Sequence, residues 1–133
     1  MYHRVALVAS GLSSLEGLRV LDLACGRGGG LAFLAEHFGI RQATGVDLCP
    51  RQISFANDTY KDFSKCPISF LIGDIETTKP LLSSQEPFDM VLCIESWHTL
   101  PFPGKALRQI SEGIISANGR VIIADGFLSE RLA

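Results

Sequence analysis

Apolar and polar positions along the chain alternate between two rhythms: short continuous apolar runs and longer stretches with helical spacing. The run at 18–23 reads as a first strand, and 29–38 reads as a helix that Gly39 ends. Residues 42–47 predict a second strand. Pro50 then marks a helix start, and 52–63 carries Ile53, Ala56, Tyr60 and Phe63 near helical spacing. Residues 67–73 predict a third strand. The segment 77–87, with two prolines and two serines, predicts a loop with room for one helical turn. A buried fourth strand follows at 88–94, then an amphipathic helix at 104–116 with Ala106, Leu107, Ile110, Ile114 and Ile115 inward. Asn118-Gly119 predicts the turn into a fifth strand at 120–125. Strands joined by helical or loop crossovers imply an α/β fold with a mostly parallel sheet of about five strands and helices on both faces. With 133 residues and no linker, repeat or low-complexity tract, the chain reads as a single domain, 1–133.

Charge narrows the partners. A formal net charge of −2, with Arg4, Arg19, Arg27, Arg41 and Arg51 scattered, gives no electrostatic case for nucleic acid or an anionic membrane surface. No apolar run approaches the length of a membrane span. The segment 1–10 has the flavour of a signal peptide with too short an apolar core, and reads as a docking segment or the remnant of a capping helix. Cys25, Cys49, Cys66 and Cys93 form no C-x-x-C pair and stand near no histidine at metal-ligand spacing, so no metal site is expected. Free thiols fit a reducing compartment, and a cytoplasmic location is the expectation. Cys25 and Cys49 fall where they could line a nucleotide pocket without being catalytic.

The chemistry starts at Val20-Leu21-Asp22-Leu23-Ala24-Cys25-Gly26-Arg27-Gly28-Gly29-Gly30, a strand, an acid, a glycine loop and a helix start. Glycines take positive φ and let a ligand lie against bare backbone, and open α/β sheets bind nucleotide-like ligands at such strand ends. The dinucleotide pattern G-x-G-x-x-G fails, because Leu31 stands where its third glycine belongs. No Gly-Lys-Ser/Thr follows, so this is not a phosphate loop. Asp22 suits a ligand ammonium better than a pyrophosphate. Two more acids follow in order: Asp47 at the end of the second strand and Asp74, in Gly73-Asp74-Ile75-Glu76, after the third. A carboxylate about 20 residues past such a loop can accept from ribose hydroxyls. Asp47 could instead cap the next helix, but Pro50 at the first helical position puts Cys49 at that cap. Asp74 has a competing reading as a plain turn aspartate.

The pattern Asp22-x-Ala24-x-Gly26-x-Gly28 resembles the first motif of class I S-adenosylmethionine-dependent methyltransferases, with Ala24 where that family most often has glycine. The resemblance implies a Rossmann-like, doubly wound fold and S-adenosyl-L-methionine as cofactor. It implies a cofactor site of Asp22, Ala24, Cys25, Gly26, Gly28, Asp47, Leu48, Asp74, Ile75 and Ile94, with Asp74 accepting from the adenine amino group. Phe88-Asp89-Met90-Val91 resembles the entry to the family's fourth strand, and Glu95-Ser96-Trp97-His98-Thr99-Leu100-Pro101 resembles a narrower group acting on sugars, sterols, tocopherols and related lipids. In the sugar O-methyltransferases the residue matching His98 is the general base. The segment Ile122-Ile123-Ala124-Asp125-Gly126-Phe127 resembles the strand whose aspartate assists it. The resemblance thus implies His98, Asp125 and Glu95 as catalytic residues, Glu95 ranking below His98. Imidazole chemistry agrees, since a hydroxyl acceptor must lose its proton near neutral pH. Trp97 reads equally as an aromatic wall for the acceptor or sulfonium and as simple packing.

The expected function is methyl transfer to a small-molecule hydroxyl. The family's sheet carries two further strands, so the alternative is a shortened S-adenosylmethionine-binding module that is inactive without a partner. An open edge at the fifth strand would then suit a homodimer or a partner protein. An NAD-dependent oxidoreductase is disfavoured by the failed fingerprint. Nucleobase methylation is disfavoured by the absence of Asn/Asp-Pro-Pro-Tyr or Pro-Cys after the fourth strand.

Overall fold

The computed structural model describes residues 2–126. Five parallel strands run in the order β3-β2-β1-β4-β5: β1 Arg19–Leu23, β2 Gln42–Asp47, β3 Ile68–Ile72, β4 Phe88–Ile94 and β5 Ile115–Ala124. The crossovers carry α2 Gly29–His37, α3 Pro50–Tyr60, α4 Thr78–Leu82 and α5 Pro103–Gln109. A short N-terminal turn of helix, α1 Tyr2–Arg4, runs into a wider turn over Val5–Ala9. This is the expected Rossmann-like α/β fold, with the strand order reversing between β1 and β4.

Period-two alternation splits the core into two layers. Val20, Met90, Leu92 and Ile122 pack with Leu31, Leu34, Ile53 and Ala56 on the face covered by α2 and α3. Leu21, Leu23, Val91 and Cys93 pack with Leu82, Ala106, Ile110 and Ile114 on the face covered by α4 and α5. Both faces of β1 are therefore buried, and its five residues all lie inside. Asp22, at 0 % exposure, is a carboxylate one residue before the end of that run.

The segment 77–87 holds the short helical turn expected there, α4, whose Pro80 falls within its first turn, where no intrahelical N–H is needed. Three expectations are corrected. The predicted helix 104–116 ends early: α5 stops at Gln109, a wide turn spans Ile110–Ile114, and Gly113 turns the chain at φ 147°. β5 accordingly starts at Ile115, and Asn118-Gly119 lies in a bulge between the pairs Phe88–Ile115 and Met90–Arg120. A Cβ at Gly119 would sit 2.3 Å from Ile115 Cγ1, so that bulge closes on glycine. Leu107, expected inward, is 45 % exposed.

Candidate functional site

The carboxyl ends of the strands converge on the predicted loops. Asp47 leaves β2 and ties the glycine loop down: its Oδ2 accepts from Gly26 N at 2.8 Å and its Oδ1 from Cys49 N at 2.9 Å. Cys49 takes the N-cap position of α3, with Pro50 beginning the helix. Gly28, at φ 82°, caps α2, and a Cβ there would strike the Phe70 ring at 2.5 Å. Gly26, at φ 58°, differs: a Cβ there would meet nothing within 4 Å, so its backbone faces open space. Ala24 also adopts positive φ, 61°, which a side chain enters at a cost of about 1–2 kcal/mol.

A cleft of about 480 Å³ opens beside this loop, within the range of ligand pockets. One wall is Ala24, Asp47 and Leu48, a second is Gly73, Asp74, Ile75 and Glu76, and a third is Ser96, Thr99, Leu100 and Pro101. Asp74 caps the short 3-10 turn Ile75–Thr77, its Oδ1 accepting from Glu76 N at 2.9 Å. The cleft thus gathers Ala24, Asp47, Leu48, Asp74 and Ile75 of the expected cofactor set. Cys25 and Ile94 are buried nearby, 6 % and 7 % exposed, and are not among its walls; neither is the exposed Cys49.

Asp22 is sealed off. Tyr2, from α1, donates its hydroxyl to Asp22 Oδ2 at 3.0 Å, and its ring occupies the space that a Cβ on Gly30 would need. Asp22 Oδ1 is buried with no hydrogen-bond partner among the described residues. Burial pushes the Asp22 carboxyl up to about 7, opposed by the Tyr2 hydrogen bond and aided by the Asp47 charge. Burial, and then Asp22, push the Tyr2 phenol up, so it stays a donor. Cys25 and Cys93 are pushed up to about 12, by burial first and then by Asp22, and remain thiols.

The acceptor-side residues lie on the loop after β4. Glu95 opens it at φ 61°, its N–H bonded to Ala124 O at 2.6 Å and its side chain exposed. Trp97–Thr99 forms one 3-10 turn. His98 is fixed twice to the end of β5: its N–H donates to Asp125 Oδ2 at 2.7 Å, and its Nδ1 lies 2.7 Å from Asp125 Oδ1. The Asp125 side chain is 1 % exposed and that of His98 is 50 % exposed. Burial alone would raise the Asp125 carboxyl, but bonds from the His98 N–H and ring, the imidazole charge and the Gly126 N–H hold it below its ordinary range. Phe127, part of the same sequence motif, lies outside the described residues. Glu95 and His98 border the cleft's third wall in sequence, and Asp125 joins them through its bonds to His98, but none of the three is among the lining residues.

Two site residues escaped the sequence reading. Glu76 is 7 % exposed and lines the cleft, its Oε1 accepting from Phe102 N at 2.8 Å. The signal available was its place two residues after Asp74. Tyr2 gave no local signal. No group of three His, Cys, Asp or Glu among the described residues could hold a metal ion. No helix among the described residues is long and apolar enough to cross a membrane.

With fold and cleft in view, comparison with known proteins is decisive for the family. A methyltransferase-domain family model matches residues 14–133. The chain belongs to this family and has the class I S-adenosylmethionine-dependent methyltransferase fold. The phthiotriol/phenolphthiotriol dimycocerosates methyltransferase of Mycobacterium leprae is 30 % identical over 125 residues, 94 % of this chain and 42 % of that protein. The fatty-acid O-methyltransferase of Mycolicibacterium smegmatis is 35 % identical over 101 residues, 76 % of this chain and 33 % of that protein. The chain therefore spans less than half the length of the curated relatives it matches. The crystal structure of the [4+2]-cyclase SpnF superposes with a TM-score of 0.74 at 23 % identity, covering 92 % of this chain and 43 % of that one. That likeness concerns the fold alone, and a shared fold does not fix a reaction.

S-adenosylmethionine is the cofactor of this family, and the residues present fit it. Gly26 offers bare backbone facing open space, and the cleft sets Asp47 and Asp74 on adjacent walls. The buried Asp22 Oδ1, without a partner among the described residues, is a further acceptor beneath the loop.

Proposed function

We propose that this chain transfers a methyl group from S-adenosylmethionine to a hydroxyl of a small or lipid-like molecule, with His98 as general base. The observation that carries this reading is the 2.7 Å contact of His98 Nδ1 with Asp125 Oδ1. With Nδ1–H committed to that carboxylate, Nε2 is the basic nitrogen, and the half-exposed ring is free to take a proton from a hydroxyl. Asp125 orients the ring and stabilises its charged form, and the backbone bond from His98 N keeps the loop from sliding along β5. Asp47 would hold the ribose hydroxyls: each oxygen already accepts one backbone N–H and keeps a lone pair for a second donor. Asp74 and Ile75 would meet the adenine, with Gly26 and Gly28 shaping the loop, Leu48, Cys25 and Ile94 packing around it, and Glu95 supporting the acceptor. Asp22 would meet the ligand ammonium only once Tyr2 has withdrawn. The bound cofactor supplies an electrophilic methyl on sulfur, so alignment of the hydroxyl oxygen does most of the catalytic work.

The names of the two relatives, a fatty-acid O-methyltransferase and a dimycocerosates methyltransferase, favour a lipid-like acceptor. A second reading is a binding module that needs a partner. It draws on the exposed edge of the described sheet, where Val121 and Ile123 are 38 % and 39 % exposed. The test is transfer of labelled methyl from S-adenosylmethionine to hydroxylated fatty acids and phenols. His98→Ala should abolish transfer and leave S-adenosylhomocysteine binding intact. Loss of binding in His98→Ala would contradict the assigned roles, and binding without any transfer by the wild type would favour the second reading.

A further inference from the structure

Glu76 is a buried carboxylate on a wall of the cleft that the reaction above does not use. Its backbone is anchored to the end of β3, since Asp74 Oδ1 accepts from its N–H. Its Oε1 accepts from Phe102 N at 2.8 Å, one residue past Pro101 of the cleft's third wall. Phe102 is the N-cap of α5 and closes the loop that begins at Glu95 and carries Trp97 and His98. That loop is held at its start by Glu95 N to Ala124 O and in its middle by His98 to Asp125. At its far end the Glu76 carboxylate makes the tie to another wall of the cleft, and a hydrogen bond to a charged acceptor is among the stronger kinds.

The geometry points to Glu76 as a positioning residue that couples occupancy of the cleft to the placement of the His98 loop. A ligand contacting Asp74 and Ile75 sits on the same short turn, Ile75–Thr77, as Glu76. Any shift of that turn is passed through one side chain to Phe102, and so to the end of the loop bearing the base. Lost packing alone would not select this route; a hydrogen-bond acceptor at Oε1 would. The inference rests on the proposed cofactor site, and the test separates the two.

Trp97 is the single tryptophan of the chain and lies on this loop, so its fluorescence reports the loop directly. The full chain is titrated with S-adenosylhomocysteine while calorimetry records binding. The wild type should bind and change its Trp97 emission. Glu76→Ala should bind but lose the emission change, and Glu76→Gln, which keeps an acceptor oxygen, should restore it. Glu76→Asp, still acidic but one methylene short, should behave as Glu76→Ala and serves if the alanine variant does not fold. An unchanged Trp97 response in Glu76→Ala or Glu76→Asp would overturn the inference, as would a wild type that binds with no response. A wild type that binds no S-adenosylhomocysteine would instead overturn the cofactor site itself.

Discussion

Asp22→Asn isolates the cost of an acid buried near the end of β1. The wild-type carboxyl titrates at about 7 in the folded protein against 3.8 in the unfolded chain, chiefly because burial disfavours its charge. Between those values the native state holds more protons than the unfolded state, so stability falls as pH rises. The stabilisation is fully present below about pH 4 and is lost as pH climbs through 7. A shift of about three units at about 1.4 kcal/mol each corresponds to about 4 kcal/mol in all, of which about 3 kcal/mol falls between pH 5 and pH 8. That is a large share of a domain stability of about 5–15 kcal/mol. The asparagine is nearly isosteric, can still accept from the Tyr2 hydroxyl and does not titrate. Urea unfolding at pH 5, 6.5 and 8 should therefore show the wild type losing stability relative to Asp22→Asn by about 3 kcal/mol across the series. Parallel pH profiles for the two proteins would refute the burial argument.

Ala24→Gly should stabilise the fold by about 0.5–1 kcal/mol, because relief of the positive-φ strain outweighs the extra entropy of a glycine in the unfolded chain; a lower urea midpoint would contradict this. Gly28→Ala should destabilise by about 2–3 kcal/mol, since the added methyl meets the Phe70 ring at 2.5 Å as well as an unfavourable φ of 82°. Its melting temperature, set beside that of Gly26→Ala with strain but no clash, separates the two contributions.

The sheet was legible because β1, β3 and β4 carry short apolar runs and each of the first four strands is ended by a glycine, an acid or a turn. The three strand-end acids were legible for the same reason, and His98 and Asp125 through their motif. What local pattern could not carry is where a segment's partner lies. The end of α5 depends on Gly113 taking φ 147°, and the bulge at 115–119 depends on the register against β4. Leu107 has helical spacing but lies on the open side of α5. Tyr2 meets Asp22 across 20 positions and Glu76 meets Phe102 across 26, contacts that only the folded chain creates. Ala24 shows the reverse. Its departure from glycine was visible in the sequence, and the structure supplies the consequence as a strained φ.

The measurement that bears most directly on the function is calorimetric titration of the chain with S-adenosylhomocysteine, using NAD as control and Asp47→Ala beside the wild type. Asp47 stands on the cleft wall and ties down Gly26, so its loss should remove both a ligand contact and the loop's anchor. Binding of S-adenosylhomocysteine alone, weakened tenfold or more in Asp47→Ala (about 1.4 kcal/mol), is the predicted result. A folded, monodisperse wild type that fails to bind it, or an Asp47→Ala variant that binds equally well, would contradict the cofactor site placed at the ends of these strands.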